Sequence, residues 1–265
     1  MQDNSGKSKE LEVAIKAALE AGKVLEKYFE TEVLKEFKED KSIVTLADRE
    51  AEDVIKKIIF SSFPEHSILG EETGMTKKLS DYTWHIDPLD GTTNFSNGIP
   101  IFATSLALEH KGVVIIGVIY NPTTDNLFYA EKGKGAYFNN KKISVSKDDQ
   151  NHCIVTAASG KQKNDKDLKR NLFHYLPEKI RSVRELGSTA LELAYVARGG
   201  TEANIQIGLS TYDFAAGALL VLEAGGIITK LDGSEWKFPD NYFIASNGIF
   251  HELLVEEIKN QKEKL

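Results

Sequence analysis

The spacing of apolar residues changes along this chain, and the change limits the folds that the chain can adopt. Up to Pro64, apolar residues recur every three or four positions, which is typical of helices with one buried face. We predict a helix over residues 8–35, capped by Ser8, and a second helix that begins near Thr45 and ends before Pro64. Thr45 and Asp48 have the spacing of a capping box. The buried stripe of the second helix is predicted to comprise Ala51, Val54, Ile55 and Ile58.

Beyond Pro64, apolar residues alternate with polar ones or form short runs, which is typical of strands. The stretches SILG (67–70) and YTWHID (82–87) are predicted strands. FATSLALEH and VVIIGVIY flank the turn at Lys111-Gly112 and are predicted to form a hairpin. The stretch NLFYAEKGKGAYFNNKKISVS (126–146) is predicted to continue the sheet as a meander, because its Gly and Asn positions favour turns.

The polar stretch 146–152 separates this part from a third part of mixed strands and helices. We predict one domain, 1–265, with two lobes, 1–147 and 148–265. Such mixed elements favour an α/β or mixed α+β architecture built in layers. The elements predicted in the third part are a strand at 153–157, a helix at 165–176, a strand near 180–184, a helix at 188–197, a strand at 203–207, a helix at 213–224, two more strands and a helix from 248.

The composition excludes several classes of protein. Among 265 residues there are 33 Lys and Arg against 40 Asp and Glu, a formal net charge of −7, which gives no electrostatic reason to expect nucleic acid as the main partner. No apolar run approaches the ~20 residues of a membrane span, and the polar start lacks the apolar region of a signal peptide. The single cysteine, Cys153, cannot form an intrachain disulfide and is predicted to be buried. We expect a soluble cytoplasmic protein without a membrane partner.

Two aspartates, Asp87 and Asp90, follow an apolar strand and precede Gly91-Thr92-Thr93. Their spacing alone leaves two explanations open. They can form an ordinary aspartate-rich turn, or they can bind Mg²⁺, which takes one or two carboxylates with waters and a substrate phosphate. N–H groups at the start of a helix after Asp90 would suit an anion.

Other polar positions are equally ambiguous when taken singly. Glu71 and Glu72 follow a predicted strand, where acidic residues are commonly exposed. For Asp48 and Asp213, capping a helix is by itself a sufficient explanation. His85 lies inside a strand and is predicted to be a packed histidine.

Several motifs resemble those of the inositol monophosphatase family. They are GEE (70–72), DPLDGTTNF (87–95), YDFAAG (212–217), EAGG (223–226), and the phrases NGIPIF, GVIYNP and GKGAYFNN. The resemblance covers almost the whole chain. It implies the layered αβαβα sandwich shared with fructose-1,6-bisphosphatases, two to three Mg²⁺ ions, and usually a homodimer. The implied activity is hydrolysis of a small phosphate monoester, an inositol monophosphate or a related sugar or polyol phosphate, by a metal-activated water.

The resemblance also implies which residues bind the metals. The first Mg²⁺ would be bound by Glu71, Asp87 and the carbonyl oxygen of Leu89. The second would be bound by Asp87, Asp90 and Asp213. A third, weaker ion would lie near Glu71.

Catalytic roles follow from the same resemblance. Asp48 and Thr92 would orient the attacking water and help to deprotonate it, and Glu71 would be a further catalytic residue. The N–H groups of Gly91 and Thr92 would hold the phosphate. A basic residue near the metals would be Lys38 or Lys41.

The rest of the substrate would meet a separate set of residues. The implied substrate contacts are Asp90, Gly187, Ser188, Thr189, Gln206 and Asp213. Animal inositol enzymes have a glutamate where this chain has Gln206, so the amide can bind hydroxyls without adding a negative charge.

Alternative activities remain open within the superfamily and outside it. Fructose-1,6-bisphosphatase, histidinol-phosphatase and 3′-phosphoadenosine-5′-phosphate phosphatase share the metal site, and the pocket decides among them. KEDKSIVT is closer to relatives acting on histidinol phosphate or nucleotide-type phosphates, whereas TTNFSNGIPIF is closer to inositol and sugar phosphatases. An alternative of another class is a regulatory module that binds RNA or transcription machinery.

Overall fold

The computed structural model describes residues 6–31, 35–37, 43–148 and 153–262. Lys38 and Lys41 lie outside the described residues. The helices are α1 (Lys9–Tyr28), α2 (Leu46–Ser62), α3 (Thr92–Phe95), α4 (Lys163–Tyr175), α5 (Thr189–Ala197), α6 (Thr211–Glu223) and α7 (His251–Lys262). No helix in this described part of the chain is long and apolar enough to cross a membrane.

The strands occupy the regions between these helices. They are β1 (Lys35–Phe37), β2 (Ile43–Thr45), β3 (Ser67–Gly70), β4 (Gly74–Thr76), β5 (Tyr82–Asp90), β6 (Ala103–His110), β7 (Val113–Asn121), β8 (Asn126–Glu131), β9 (Gly135–Phe138), β10 (Lys141–Lys142), β11 (Ile154–Ser159), β12 (Ser182–Arg184), β13 (Ala203–Ile207), β14 (Ile227–Lys230) and β15 (Tyr242–Ser246).

The first helix is shorter than predicted. Its cap is confirmed, because the Ser8 hydroxyl accepts a hydrogen bond from the N–H of Leu11 (3.2 Å). The helix ends at Tyr28 rather than at residue 35, since the backbone becomes extended at Phe29 (φ −63°, ψ 137°). The apolar spacing of a helix thus continued past the point at which the helix stops.

The larger sheet has eight strands in the order β10-β9-β8-β7-β6-β5-β3-β4. The hairpin at Lys111-Gly112 and the meander after it are confirmed. β4 was not predicted, and the meander ends at Lys142 rather than at Ser146. Neighbouring strands are antiparallel except β3 and β5, which are parallel.

The smaller sheet has five strands in the order β12-β11-β13-β15-β14. β11 runs parallel to β12 and β13, whereas β15 is antiparallel to its neighbours β13 and β14. The chain after β13 therefore leaves the sheet at the carboxyl edge of the parallel strands. α6 begins at this edge, where ligands commonly bind in such sheets.

Helices and sheets alternate in five layers. α1 and α2 cover one face of the larger sheet, α5 and α6 lie between the two sheets, and α4 and α7 cover the outer face of the smaller sheet. The period of two along each strand produces this arrangement. On β6, Leu106 packs with α1 and α2, whereas the next residue, Ala107, packs with α5 and α6. On β15, Phe243 packs with α5 and α6, whereas Ile244 packs with α4 and α7. The predicted αβαβα sandwich is confirmed.

α6 packs against the larger sheet with its backbone in contact. A Cβ at Gly117 of β7 would lie 2.7 Å from the carbonyl oxygen of Ala216, and a Cβ at Gly217 would lie 2.5 Å from the side chain of Leu193 on α5. Glycine at these two positions permits the close approach. This contact fixes where the start of α6, with Asp213, lies relative to the larger sheet.

Candidate active site

Glu71 and Asp87 meet because the strands before them are parallel neighbours. In the ladder between β3 and β5, Gly70 is paired with Ile86, so the next residues along the two strands are Glu71 and Asp87. The N–H of Glu71 donates to the carbonyl oxygen of Ile86 (3.0 Å). Strand pairing therefore brings the GEE and DPLD motifs together.

The backbone between Asp87 and Asp90 departs from a regular strand. The pairing of β5 with β6 shifts between these residues, and the N–H of Leu89 donates to Asp87 Oδ1 (3.0 Å). The Thr104 hydroxyl donates to the carbonyl oxygen of Pro88 (3.0 Å). Such an irregularity changes the direction of side chains, and both buried carboxyl groups lie close enough for the charge of Asp90 to affect the pKa of Asp87.

Asp90 is held from its other side by the loop before α5. Its Oδ2 accepts hydrogen bonds from the Ser188 hydroxyl (2.6 Å) and from the N–H of Ala190 (2.7 Å). Burial raises the pKa of Asp90, and these two bonds, together with a further bond from the backbone of Thr189, offset part of the increase. Two predicted substrate contacts, Ser188 and Thr189, are therefore buried against a predicted metal ligand.

Asp213 lies inside the first turn of α6 and not at its cap. Ser210 is the N-cap, and its N–H donates to Asp213 Oδ2 (2.8 Å). The alternative that Asp213 is the N-cap is therefore wrong, because α6 begins at Thr211, before the predicted start.

Two contacts join the start of α6 to the larger sheet. His85 Nδ1 lies 2.8 Å from the Thr211 hydroxyl oxygen, and the Ser105 hydroxyl donates to the carbonyl oxygen of Tyr212 (3.3 Å). Ser105 is the residue opposite Asp87 in the sheet. His85 is buried, as predicted, and it also helps to locate the beginning of α6 beside Asp87.

Asp48 and Thr92 are in contact, as their predicted pairing requires. Asp48 is fully buried, and its Oδ2 accepts hydrogen bonds from the N–H (2.8 Å) and the hydroxyl (2.6 Å) of Thr45. Its Oδ1 lies 3.3 Å from the Thr92 hydroxyl, which also lies 3.0 Å from the carbonyl oxygen of Leu89. The hydroxyl of Thr92 thus links Asp48 to the backbone between the two site aspartates.

Burial and mutual repulsion raise the pKa values of the aspartates in this region. Burial, the largest cause, raises the pKa of Asp48 and of Asp90 to about 6, and it raises the pKa of Asp87 and of Asp213 well above the usual range. Repulsion by the charge of Glu71 adds to all four increases. Glu71 therefore lies within electrostatic range of every predicted site aspartate.

The donor set fits a hard divalent cation. Carboxylate and carbonyl oxygens are the ligands that Mg²⁺ takes, and a cation among them would offset the repulsion that raises the pKa values. Within the described ranges, however, no group of three or more His, Cys, Asp or Glu side chains is gathered closely enough to hold a metal ion. The assignment of individual ligands stays a prediction.

Gly91 lies where two other backbone segments approach. Its φ is 95°, and a Cβ would lie 2.9 Å from the carbonyl oxygen of Ile101 and 3.1 Å from that of Gly187, so glycine is required there. The side-chain amide of Asn94 donates to the carbonyl oxygens of Ile101 and Leu186 (2.8 Å each). The helix predicted to start here, α3, has only four residues. The close approach of Gly91 to Gly187 therefore makes a predicted phosphate-binding residue the neighbour of a predicted substrate contact.

Gln206 lies in β13 and has no exposed surface. Its amide nitrogen donates to Asn204 Oδ1, and its amide oxygen has no hydrogen-bond partner among the described residues. Asn204 donates to Glu192 Oε2 (2.9 Å), and the N–H of Leu186 donates to Glu192 Oε1 (2.7 Å). Burial raises the pKa of Glu192 to about 8. A substrate contact by Gln206 stays a prediction, and it requires this buried group to become accessible.

Two buried glutamates near the site, Glu52 and Glu192, were not predicted from the sequence. Glu52 is four residues after Asp48, so the two share a face of α2. Glu192 stands alone in the apolar run TALELAYVA of α5. For Glu192 the available signal was a charged residue in an otherwise apolar helix, whereas apolar spacing gave no such signal for Glu52.

Proteins of one family match this chain over nearly its whole length. The model of the inositol monophosphatase family matches residues 7–263. An inositol-1-monophosphatase of Mesorhizobium japonicum is 38% identical over 258 residues, which cover 94% of this chain and 96% of the relative. Nus factor SuhB of Escherichia coli K12 is 38% identical over 242 residues, which cover 89% of each protein. A solved Thermotoga maritima IMPase has a TM-score of 0.89 at 34% identity, with 97% of this chain and 99% of that chain covered. The chain therefore belongs to the inositol monophosphatase family.

Proposed function

We propose that this protein hydrolyses a small phosphate monoester with Mg²⁺, and that the ester is an inositol monophosphate or a related sugar or polyol phosphate. The observation that carries the proposal is that acidic residues at the ends of β3 and β5 and at the start of α6 lie near enough to repel one another. Burial, together with repulsion among Glu71, Asp87, Asp90 and Asp213, raises the pKa values of the three aspartates. Divalent cations would offset this repulsion.

In this proposal the cations are held by the residues that the family resemblance implies. Glu71, Asp87 and the carbonyl oxygen of Leu89 would hold one Mg²⁺. Asp87, Asp90 and Asp213 would hold a second, and a third and weaker ion would lie near Glu71. When bound, the ions acidify water and neutralise negative charge on the phosphate oxygens.

The chain's own groups would position the water and the phosphate. The Thr92 hydroxyl lies 3.3 Å from Asp48 Oδ1, so both side chains can contact one water that lies beside them. A carboxyl group with a pKa of about 6 is mostly ionised near neutral pH and is basic enough to accept a proton. The N–H groups of Gly91 and Thr92 would receive the phosphate oxygens, and Glu71 would assist in catalysis.

The non-phosphate part of the ester would contact Gly187, Ser188, Thr189 and Gln206.

The test of the proposed function is phosphate release, with Mg²⁺ and with EDTA, from four esters: inositol 1-phosphate, fructose 1,6-bisphosphate, histidinol phosphate and 3′-phosphoadenosine 5′-phosphate. We expect Mg²⁺-dependent release, with inositol 1-phosphate among the best substrates. Release that persists in EDTA would contradict the metal mechanism, and a strong preference for another ester would replace the substrate assignment.

A second candidate function is regulation through RNA, because the Escherichia coli relative is a Nus factor. The net charge of −7 gives no general attraction to RNA, so binding would need a local basic surface. Filter binding of an unstructured RNA at low and high salt tests this function. Affinity that falls steeply with salt would support it, and an absence of binding at low salt would remove it.

We also propose that the protein is a homodimer, as the resemblance implies. Size-exclusion chromatography with light scattering measures the mass directly. A mass of one 29.4 kDa chain at assay concentrations would contradict the homodimer.

A further inference from the structure

The carboxylate of Glu52 is buried beneath the turn that follows β3. It has no exposed surface. Its Oε2 accepts a hydrogen bond from the N–H of Glu72 (2.8 Å), and its Oε1 accepts one from the N–H of Thr73 (3.2 Å). The Thr73 hydroxyl donates to the same Oε1. Three donors of one turn therefore converge on one side chain of α2.

The residue before the turn leaves room for this carboxylate. Gly70 ends β3, and a Cβ there would lie 2.5 Å from Glu52 Oε1 and 2.8 Å from Oε2. Any larger residue at this position would displace the carboxylate. Glu71 therefore lies between Gly70, which packs against the Glu52 carboxylate, and the two residues that Glu52 binds by hydrogen bonds.

α2 thus presents two buried carboxyl groups from one face. Asp48 and Glu52 are one helical turn apart, and both are fully buried. Asp48 contacts Thr92, whereas Glu52 contacts the turn that carries Glu71. A buried carboxylate is costly unless it is hydrogen-bonded, and the donors of the turn meet this requirement for Glu52.

We propose that Glu52 is a positioning residue, which sets the affinity of the site for divalent cations by fixing the turn Glu71–Thr73. The inference rests on the proposed function, in which Glu71 binds Mg²⁺. Removing a group that orients a metal ligand typically weakens metal binding about 10–100-fold. Because Glu52 acts through Glu71, its loss should change cation affinity more than kcat at saturating Mg²⁺.

The test compares Glu52→Gln with Asp53→Asn. The glutamine keeps the size of the side chain but replaces one acceptor oxygen with an NH₂ group that cannot accept from the turn. We expect the dissociation constant for Mn²⁺, measured by calorimetry without substrate, to rise at least about tenfold. Asp53 is exposed and adjacent on α2, so Asp53→Asn makes the same charge change and should leave Mn²⁺ binding unchanged. Wild-type Mn²⁺ affinity in Glu52→Gln would overturn the proposal.

Glu71→Gln separates this inference from the proposed function. If Glu71→Gln weakens Mn²⁺ binding and Glu52→Gln does not, the positioning role fails while the metal site stands. If the wild-type protein does not bind Mn²⁺, both fail.

Thr73→Val covers the case in which Glu52→Gln does not fold. It removes only the hydroxyl donor and should weaken Mn²⁺ binding about threefold, as the loss of one hydrogen bond implies. Unchanged Mn²⁺ binding in a folded Thr73→Val protein would overturn the proposal.

Discussion

Asp48 and Asp213 occupy the same place in two helices that come from distant parts of the chain. Each lies in a capping box, with Thr45 for α2 and Ser210 for α6. Each accepts a hydrogen bond from the N–H of its N-cap residue at 2.8 Å. The sequence signal and the local geometry are therefore nearly the same at the two helix starts.

The surroundings of the two carboxyl groups differ. Asp48 is fully buried, and its two oxygens are bound by Thr45 and Thr92. Asp213 is partly exposed. Burial is the largest cause of its raised pKa, and repulsion by Asp90 is the second largest. One motif can thus orient a carboxyl group toward hydroxyls, suited to handling a proton, or toward other carboxylates, suited to binding a cation.

The largest expected effect comes from Asp48→Asn. The amide oxygen still accepts from the helix cap, but the side chain cannot take a proton, so kcat should fall about 10²–10⁴-fold. Binding of Mn²⁺ should be unchanged. Steady-state kinetics at saturating Mg²⁺ measure the first quantity and calorimetry the second. A fall in kcat of less than tenfold would mean that Asp48 is only a cap.

Asp213→Asn should give the opposite pattern. Loss of one anionic ligand should raise the Mg²⁺ concentration for half-maximal activity at least about tenfold, which corresponds to about 1.4 kcal/mol. At saturating Mg²⁺, kcat should fall less than in Asp48→Asn. Activity titrated with Mg²⁺ measures this effect, and an unchanged titration would leave Asp213 only its structural role in the capping box with Ser210.

The two N-cap residues allow a finer comparison. Thr45→Val and Ser210→Ala should each lower the free energy of unfolding by about 1 kcal/mol, as measured with urea. The Thr45 hydroxyl also lowers the pKa of Asp48, so Thr45→Val should shift the acid limb of the pH–kcat profile to higher pH. A profile that coincides with that of the wild type would show that the hydroxyl does not tune Asp48.

The last prediction concerns the pH dependence of stability, and it involves Glu192, a buried carboxyl group outside both caps. Its folded pKa is raised to about 8, so the folded protein keeps a proton that the unfolded chain loses near pH 4.3. Its contribution to stability is therefore full below that pH and is lost as pH rises toward 8. Glu192→Gln should remove this part of the pH dependence, so its free energy of unfolding should fall less than that of the wild type between pH 5 and 8. Parallel urea-unfolding data for the two proteins would contradict the raised pKa.

Much of the fold followed from local patterns in the sequence. The strands 67–70 and 203–207 begin and end where they were predicted, because apolar runs between turn residues define them. The pairing of β3 with β5 could not be predicted, since parallel neighbours are chosen by the packing of the whole sheet. The spacing of the motifs therefore did not predict that Glu71 and Asp87 lie side by side. Only the family resemblance placed the two residues in one site.

The buried face of α2 illustrates a limit of apolar spacing. Ala51 and Ile55 are buried as predicted, but Val54 and Ile58 are only half-buried, and Ile59 is buried. The buried face is rotated toward Asp48 and Glu52, which apolar spacing assigns to solvent. Buried polar residues on a helix thus displace the buried stripe that apolar periodicity predicts.

The position of α6 between the two sheets has a consequence for folding. Asp48, Asp87 and Asp213 are far apart in sequence, and α6 reaches its place only when the larger sheet and the strands around β13 can both receive it. Contacts between such distant segments stabilise the fold only after the entropy cost of closing long loops has been met. We therefore expect the acidic residues of the site to come together late in folding, after the sheets that hold them in place have formed.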